Sequence, residues 1–84
     1  MNVLTEDQAR ANIAANLQRI MDTRRLSQSE LARMTGDDQQ SISRILRGKN
    51  APGIAFLARI AEALQTTVDY LIAPPPVESR KKSA

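Results

Sequence analysis

Glutamine, serine and arginine side chains are concentrated between residues 39 and 47 of this 84-residue chain, in a stretch that holds no carboxylate. A glutamine amide can form two hydrogen bonds with an adenine, and an arginine guanidinium can form two with a guanine. On a helix of about 3.6 residues per turn, Gln40, Ser43 and Arg44 share one face, with Gln39 at its N-terminal edge. These residue types at this spacing favour hydrogen bonding to the edges of bases.

The opposite face of the same stretch is apolar. Ile42, Ile45 and Leu46 lie within about a third of a helical turn of one another, so one side of the helix is predicted to be buried. The simpler alternative is a pair of short helices that pack through Leu31, Ile42 and Ile45, with an outer surface that is merely solvated. That alternative does not explain why the outer face lacks the glutamate and lysine of an ordinary helix surface.

A preceding helix and a sharp turn would position this face. Ser27 and Glu30 form a predicted capping box, which begins a helix that ends near residue 35. Ala32 is small enough to let two helices approach closely. Gly36 follows where the chain must turn, and glycine enters the left-handed region without a Cβ clash. Two helices joined at Gly36 are therefore predicted.

Other capping residues and breakers delimit the remaining helices. Asp37 or Asp38 caps the helix that carries the glutamines, and Gly48 ends it. Thr5 begins a helix over residues 6 to 24. After Pro52 and Gly53, a fourth helix is predicted from the spacing of Ile54, Leu57, Ile60, Ala61 and Leu64. A short fifth helix, capped by Thr66 or Thr67, contains Val68, Leu71 and Ile72 and cannot continue through Pro74, Pro75 and Pro76.

Residues 11 to 72 resemble the lambdoid-phage repressor and Cro family of XRE-type helix-turn-helix proteins. The resemblance rests on the helix pair, the DQQSI run of residues 38 to 42, the RGKN turn of residues 47 to 50, and the IAEAL and VDYL segments near the end. It implies an all-α, compact five-helix lambda-repressor-like domain over residues 1 to 73, with the helix-turn-helix at helices 2 and 3. Residues 74 to 84 are predicted to be a proline-rich, then basic, disordered tail.

The resemblance implies a sequence-specific DNA-binding transcriptional regulator, acting as a homodimeric repressor on a pseudo-palindromic operator of double-stranded DNA. The residues predicted to read bases are Gln39, Gln40, Ser43 and Arg44. The residues predicted to bind phosphate are Gln28, Ser41, Arg47, Lys49 and Asn50. In that family the residue at the place of Gln28 commonly donates to phosphate while bracing the first glutamine of the recognition helix. For the loop after that helix, ordinary solvation is the competing interpretation.

Pairing of two chains is predicted to involve Tyr70 and Ile72 on the fifth helix, because a domain of this size cannot bury every apolar residue there. The competing interpretation is that these residues close the core. A second functional class is an antitoxin-type interaction module, which would bind a toxin partner and regulate its own operon. Co-purification with a stable heterologous partner would favour that alternative.

Composition excludes several other classes. The chain has no cysteine and no histidine, which excludes disulfides, thiolate nucleophiles, Cys/His metal sites and imidazole catalysis. No catalytic residue, metal site or cofactor is therefore predicted, and the protein is not expected to be an enzyme. No signal peptide or membrane span is evident, so a cytoplasmic protein is expected.

The net charge of +3 is unevenly distributed. The last eleven residues hold three of the twelve basic residues and one of the nine acidic ones, which leaves the predicted domain at about +1. A general positive field therefore cannot supply the affinity for DNA. The charge must act locally, and Arg44, Arg47 and Lys49 are close together.

Three positions depart from the family pattern. Asp37 replaces an apolar residue after the turn glycine, which leaves the start of the third helix uncertain between two aspartates. Met21 and Leu46 stand where relatives often carry a buried Arg/Glu pair, and an apolar pair can be as stable because no charge is desolvated. Gln65 replaces a glycine after the fourth helix, which costs stability if its backbone is left-handed.

Overall fold

The computed structural model describes residues 4 to 76, and every regular element in that range is an α-helix. The helices are α1 (Glu6–Arg24), α2 (Gln28–Thr35), α3 (Gln39–Leu46), α4 (Ile54–Ala63) and α5 (Val68–Ile72). The predicted all-α, five-helix fold is therefore confirmed. In this range no helix combines the length and the apolar character needed to cross a membrane. The predicted disorder of the tail concerns mainly residues 77 to 84, which lie outside the described part.

Two capping boxes begin α1 and α2, as the sequence predicted. The Thr5 hydroxyl accepts from the amide of Gln8 at 3.1 Å, and the Gln8 side chain accepts from the amide of Thr5 at 3.0 Å. Ser27 and Glu30 make the same exchange at 2.8 and 3.1 Å. The hydrogen bonds from the Ser27 backbone and hydroxyl hold the pKa of Glu30 below its ordinary value.

The start of α3 is determined by a division of roles between two adjacent aspartates. The Asp38 carboxylate accepts from the amide of Ser41 at 2.8 Å, so Asp38 is the cap. This hydrogen bond also lowers the pKa of Asp38. Asp37 instead accepts from the guanidinium of Arg59 at 3.0 to 3.4 Å, which ties the α2–α3 turn to α4.

The core lies where α3 packs against α1 and α2, with α4 and α5 closing the remaining sides. Its fully buried side chains are Leu17, Leu31, Ile42, Ile45, Ile60, Leu64 and Leu71. Met21 is also buried, and Leu46 is half-buried against the same cluster. An apolar contact region therefore occupies the place where relatives often carry an ion pair.

Asn16 is the buried polar residue that holds the end of the chain in place. Its side chain is 1% exposed, and its Nδ2 lies 2.8 Å from the carbonyl oxygens of Leu71 and Ala73 and 3.2 Å from that of Tyr70. Asn12 donates to the carbonyl of Ile72 at 2.9 Å. The last carbonyls of a helix have no partner within the helix, so α1 supplies the partners that α5 lacks.

Gln65 adopts the left-handed backbone conformation that the family pattern assigns to glycine, with φ of 57°. We expect Gln65→Gly to raise the free energy of unfolding by about 0.5–1 kcal/mol, because glycine adopts this conformation without a Cβ clash. Urea denaturation checks the change. Glu62→Gly, inside α4, should instead lower stability by about 1 kcal/mol, and a similar loss for both variants would contradict the expectation.

Candidate nucleic-acid interface

The outer face of α3 is exposed as the sequence predicted. Gln39, Gln40 and Arg44 are exposed, while Ser43 and Ser41 are half-buried. None of these five side chains is engaged in an ion pair in the described range. Their donor and acceptor groups are therefore available to an external partner.

Buried contacts fix the orientation of α3 relative to α2. Ile42 and Ile45 are 0% and 2% exposed, and Leu31 of α2 is also completely buried. The turn between the helices has Gly36 at φ 78°, and the amide of Asp37 donates to the carbonyl of Ala32 at 2.9 Å. Because close-packed interiors resist displacement, the outer side chains project from a rigid support.

A shallow concavity of about 200 Å³ lies between α3 and the start of α4. Ser41, Arg44 and Asn50 line it, so two of the predicted phosphate-binding residues lie beside a predicted base-reading residue. Gly53 also lines it and begins α4 without a side-chain cap. The sequence reading placed only a loop here and missed the contribution of the helix start, for which an uncapped glycine was the available signal.

Arg47, Lys49 and Asn50 follow α3 in a turn that exposes all three. Gly48 has φ of 71°, and its amide donates to the carbonyl of Ile45 at 2.9 Å. The amide of Lys49 donates to the carbonyl of Arg44 at 3.2 Å. These bonds end the helix and direct the chain away from it, as the sequence predicted. No carboxylate in the described range pairs with either basic side chain.

Gln28 is half-buried at the first position of α2, and Gln39 is exposed at the first position of α3. No hydrogen bond joins their side chains among residues 4 to 76. The bracing contact that the resemblance implies therefore stays a prediction, as does the phosphate contact of Gln28.

Arg59 links the turn of the helix pair to the concavity. Its guanidinium binds Asp37 and lies 5.5 Å from the ring centroid of Phe56, a distance at which a cation is attracted to an aromatic face. Phe56 lines the concavity beside Arg44. This connection spans 22 residues of sequence between Asp37 and Arg59, and no local pattern in the sequence indicates it.

The two residues predicted at a dimer surface differ in their surroundings. Tyr70 is 42% exposed, and its hydroxyl accepts from the guanidinium of Arg19 at 2.7 Å. Ile72 is partly buried and packs against the core cluster. Ile72 thus contributes to closing the core, whereas Tyr70 leaves a large part of its surface outside. Within the described range, no group of three potential metal-ligating side chains is present.

Comparison with known proteins gives a consistent assignment. The HTH_3 helix-turn-helix family model matches residues 17–71. A solved HTH_3 family transcriptional regulator from Vibrio cholerae is 30% identical with a TM-score of 0.74, and the match covers 80% of this chain but 38% of that one. A hypothetical transcription factor, NHTF, from Neisseria is 28% identical with a TM-score of 0.77, covering 98% of this chain and 90% of that one.

A comparison with curated proteins gave no match. This chain spans well under half of the Vibrio protein, so what the remainder of that protein does has no counterpart in the matched region. The family match covers more than half of the chain and includes all of α2, α3 and α4. The chain therefore belongs to the HTH_3 family of helix-turn-helix proteins, as the predicted XRE-type motif indicated.

Proposed function

We propose that this protein is a sequence-specific DNA-binding transcriptional regulator, a homodimeric repressor that acts in the cytoplasm by occupying an operator. Family membership and the two transcription-factor neighbours support DNA-binding regulation. The observation that carries the proposal is the outer face of α3. It presents Gln39, Gln40 and Arg44 without a carboxylate, on a helix whose other face is fully buried.

Recognition occurs through α3 in the major groove, which is about 12 Å wide and admits an α-helix. The N-terminal residues of a recognition helix reach the base edges, which assigns this role to Gln39, Gln40, Ser43 and Arg44. The flanking residues Gln28, Ser41, Arg47, Lys49 and Asn50 bind phosphates and set the register of the helix.

Electrostatic attraction is concentrated at this surface because the domain as a whole carries a charge of only about +1. Arg44, Arg47 and Lys49 supply three positive charges within six residues. Each phosphate that is neutralised contributes a slope of about −0.9 to the dependence of the logarithm of the binding constant on that of the salt concentration. The protein therefore binds with a shallow salt dependence.

Two copies are needed because a helix as short as α3 reads few base pairs. A symmetric pair places two recognition helices about 34 Å apart, one turn of DNA. The exposed side of Tyr70 on α5 is the proposed contact between the copies, with Ile72 beneath it. Occupancy of the operator then excludes polymerase from the promoter.

Selection of binding sites from random duplex DNA tests this function. The expected result is enrichment of a pseudo-palindrome whose half-sites are centred one helical turn apart. The paired variant Gln39→Ala/Gln40→Ala, selected in parallel, should lose the base preference while remaining folded. Sedimentation with and without the selected duplex reports the number of copies bound. Recovery of random or asymmetric sequences, or binding of a single copy, would contradict the proposed dimeric regulator.

A further inference from the structure

A second polar cleft lies away from α3, between the C-terminal half of α1 and the connection from α4 to α5. Its volume is about 260 Å³. The residues that line it and matter here are Arg19, Thr23, Arg24, Gln65, Thr66 and Tyr70. They supply two guanidinium groups, three hydroxyls and an amide, and no carboxylate is among the lining residues.

The positive charge of this cleft is not neutralised within the described part of the chain. Arg10 and Arg59 form ion pairs with carboxylates, whereas Arg19 and Arg24 form none there. A charged group that has no partner gains most from a ligand of opposite charge held in a concave site. The electrostatics of the cleft therefore select an anion.

Arg19 is held in place before any ligand arrives. Its Nη2 donates to the Tyr70 hydroxyl at 2.7 Å and to the Asn16 side-chain oxygen at 3.2 Å, and its guanidinium carbon lies 5.5 Å from the centroid of the Tyr70 ring. Asn16 is itself almost completely buried. A preorganised arginine loses little conformational entropy on binding, which distinguishes Arg19 from a freely moving surface arginine.

Donors around Arg19 are left without acceptors. Its Nε is buried and has no hydrogen-bond partner among residues 4 to 76, a costly state for a polar atom. The Tyr70 oxygen accepts from Arg19, so the phenolic hydrogen is available to donate elsewhere. An oxyanion that accepts from the phenol, the arginines and the threonine hydroxyls would use this excess of donors.

We infer that the cleft binds a compact oxyanion from solution, such as a phosphate group or a small dicarboxylate. Its volume is below the roughly 300–1,000 Å³ of pockets for drug-sized ligands, which restricts it to a small molecule. The ligand contacts Tyr70 and the segment that precedes α5, and it therefore stabilises α5 against α1. This inference does not depend on the DNA-binding proposal, because the cleft shares no residue with the α3 surface.

Titration of the complete protein with inorganic phosphate, and separately with succinate, tests the site by amide NMR at constant ionic strength. The expected shifts are saturable and centred on residues 23, 24, 65, 66 and 70. Arg24→Gln and Thr66→Val should each weaken binding about tenfold, and Thr66→Val leaves the net charge unchanged. Arg33→Gln, which removes an exposed charge from the end of α2, should bind like the wild type.

Arg19→Gln should abolish saturable binding, and its spectrum reports whether the fold persists. If it unfolds, Arg24→Gln and Thr66→Val still decide the matter. Shifts that do not saturate, that spread over all basic residues or that are unchanged in these two variants would overturn the inference. Protection of the same amides by duplex DNA instead of by free anions would also overturn it, since the cleft would then bind backbone phosphate.

Discussion

Asn16→Asp is expected to lower the free energy of unfolding at neutral pH by about 3–5 kcal/mol, the loss typical of an uncompensated buried charge. The substitution is nearly isosteric, so no cavity forms. It replaces an NH2 group that lies within 3.2 Å of three carbonyl oxygens by a carboxylate oxygen that repels them. The Arg19 contact to the other side-chain oxygen, at 3.2 Å, offsets part of this loss.

The pH dependence of this variant separates the charge effect from a loss of shape. Burial against carbonyl oxygens raises the pKa of the introduced carboxyl in the folded state above its unfolded value of about 3.9. Between these two pKa values the folded state binds more protons than the unfolded state. The stability of the variant relative to the wild type should therefore fall as the pH rises from about 4 through the folded-state pKa.

Urea denaturation at several pH values measures this difference. Gln8→Glu is the matched control, because it also converts an amide to a carboxylate on α1 but at an exposed position in the first turn. An acidic residue near a helix N-terminus is tolerated or favourable, so the control should change stability by less than about 0.5 kcal/mol. Equal losses for the two variants at neutral pH would rule out the role given to Asn16.

Arg44→Ala and Arg47→Ala should weaken DNA binding in different ways. Loss of the Arg44 guanidinium from the reading face should cost about 1–3 kcal/mol on the preferred sequence and relax the base preference at one position. Arg47 follows the helix and is predicted to bind phosphate. Its loss should weaken all sequences nearly equally and reduce the salt slope by about 1.

Binding of each variant to the selected operator and to single-base variants of it, at several salt concentrations, measures both effects. Arg33→Ala is the control, since Arg33 is exposed in the last turn of α2, at the opposite end from Gln28. It removes the same charge and should leave the pattern of base preferences intact. If Arg44→Ala and Arg47→Ala gave the same uniform loss, the assignment of Arg44 to base reading would be wrong.

Local signals in the sequence were sufficient to predict the helices. The capping boxes at Thr5 and Ser27 begin α1 and α2 at the predicted residues, because a cap involves groups only three positions apart. Where two candidates stood side by side, the sequence could not decide between them. Thr67 caps α5 by accepting from the amide of Tyr70 at 3.0 Å, a choice that depends on where the preceding loop ends.

The contacts that the sequence did not reveal join residues far apart in the chain. Asn16 lies between apolar residues of α1, and its role becomes visible only when the carbonyl groups of residues 70, 71 and 73 are brought against it. The pairing of Asp37 with Arg59 likewise depends on how α4 crosses the helix pair. On α3, periodicity predicted which residues are exposed, but base contacts depend on DNA and stay predictions.

The attachment of α5 to α1 has a consequence for how the protein would leave an operator. A helix of five residues is far below the length of about 12–15 at which isolated helices become even marginally stable. It therefore depends on the buried Leu71 and on the side chains of Asn12 and Asn16. Short terminal elements of this kind open at lower free energy than the whole domain. If pairing uses α5, release of one copy from the other requires only this local opening, and each separated copy keeps its recognition helix folded and ready to rebind.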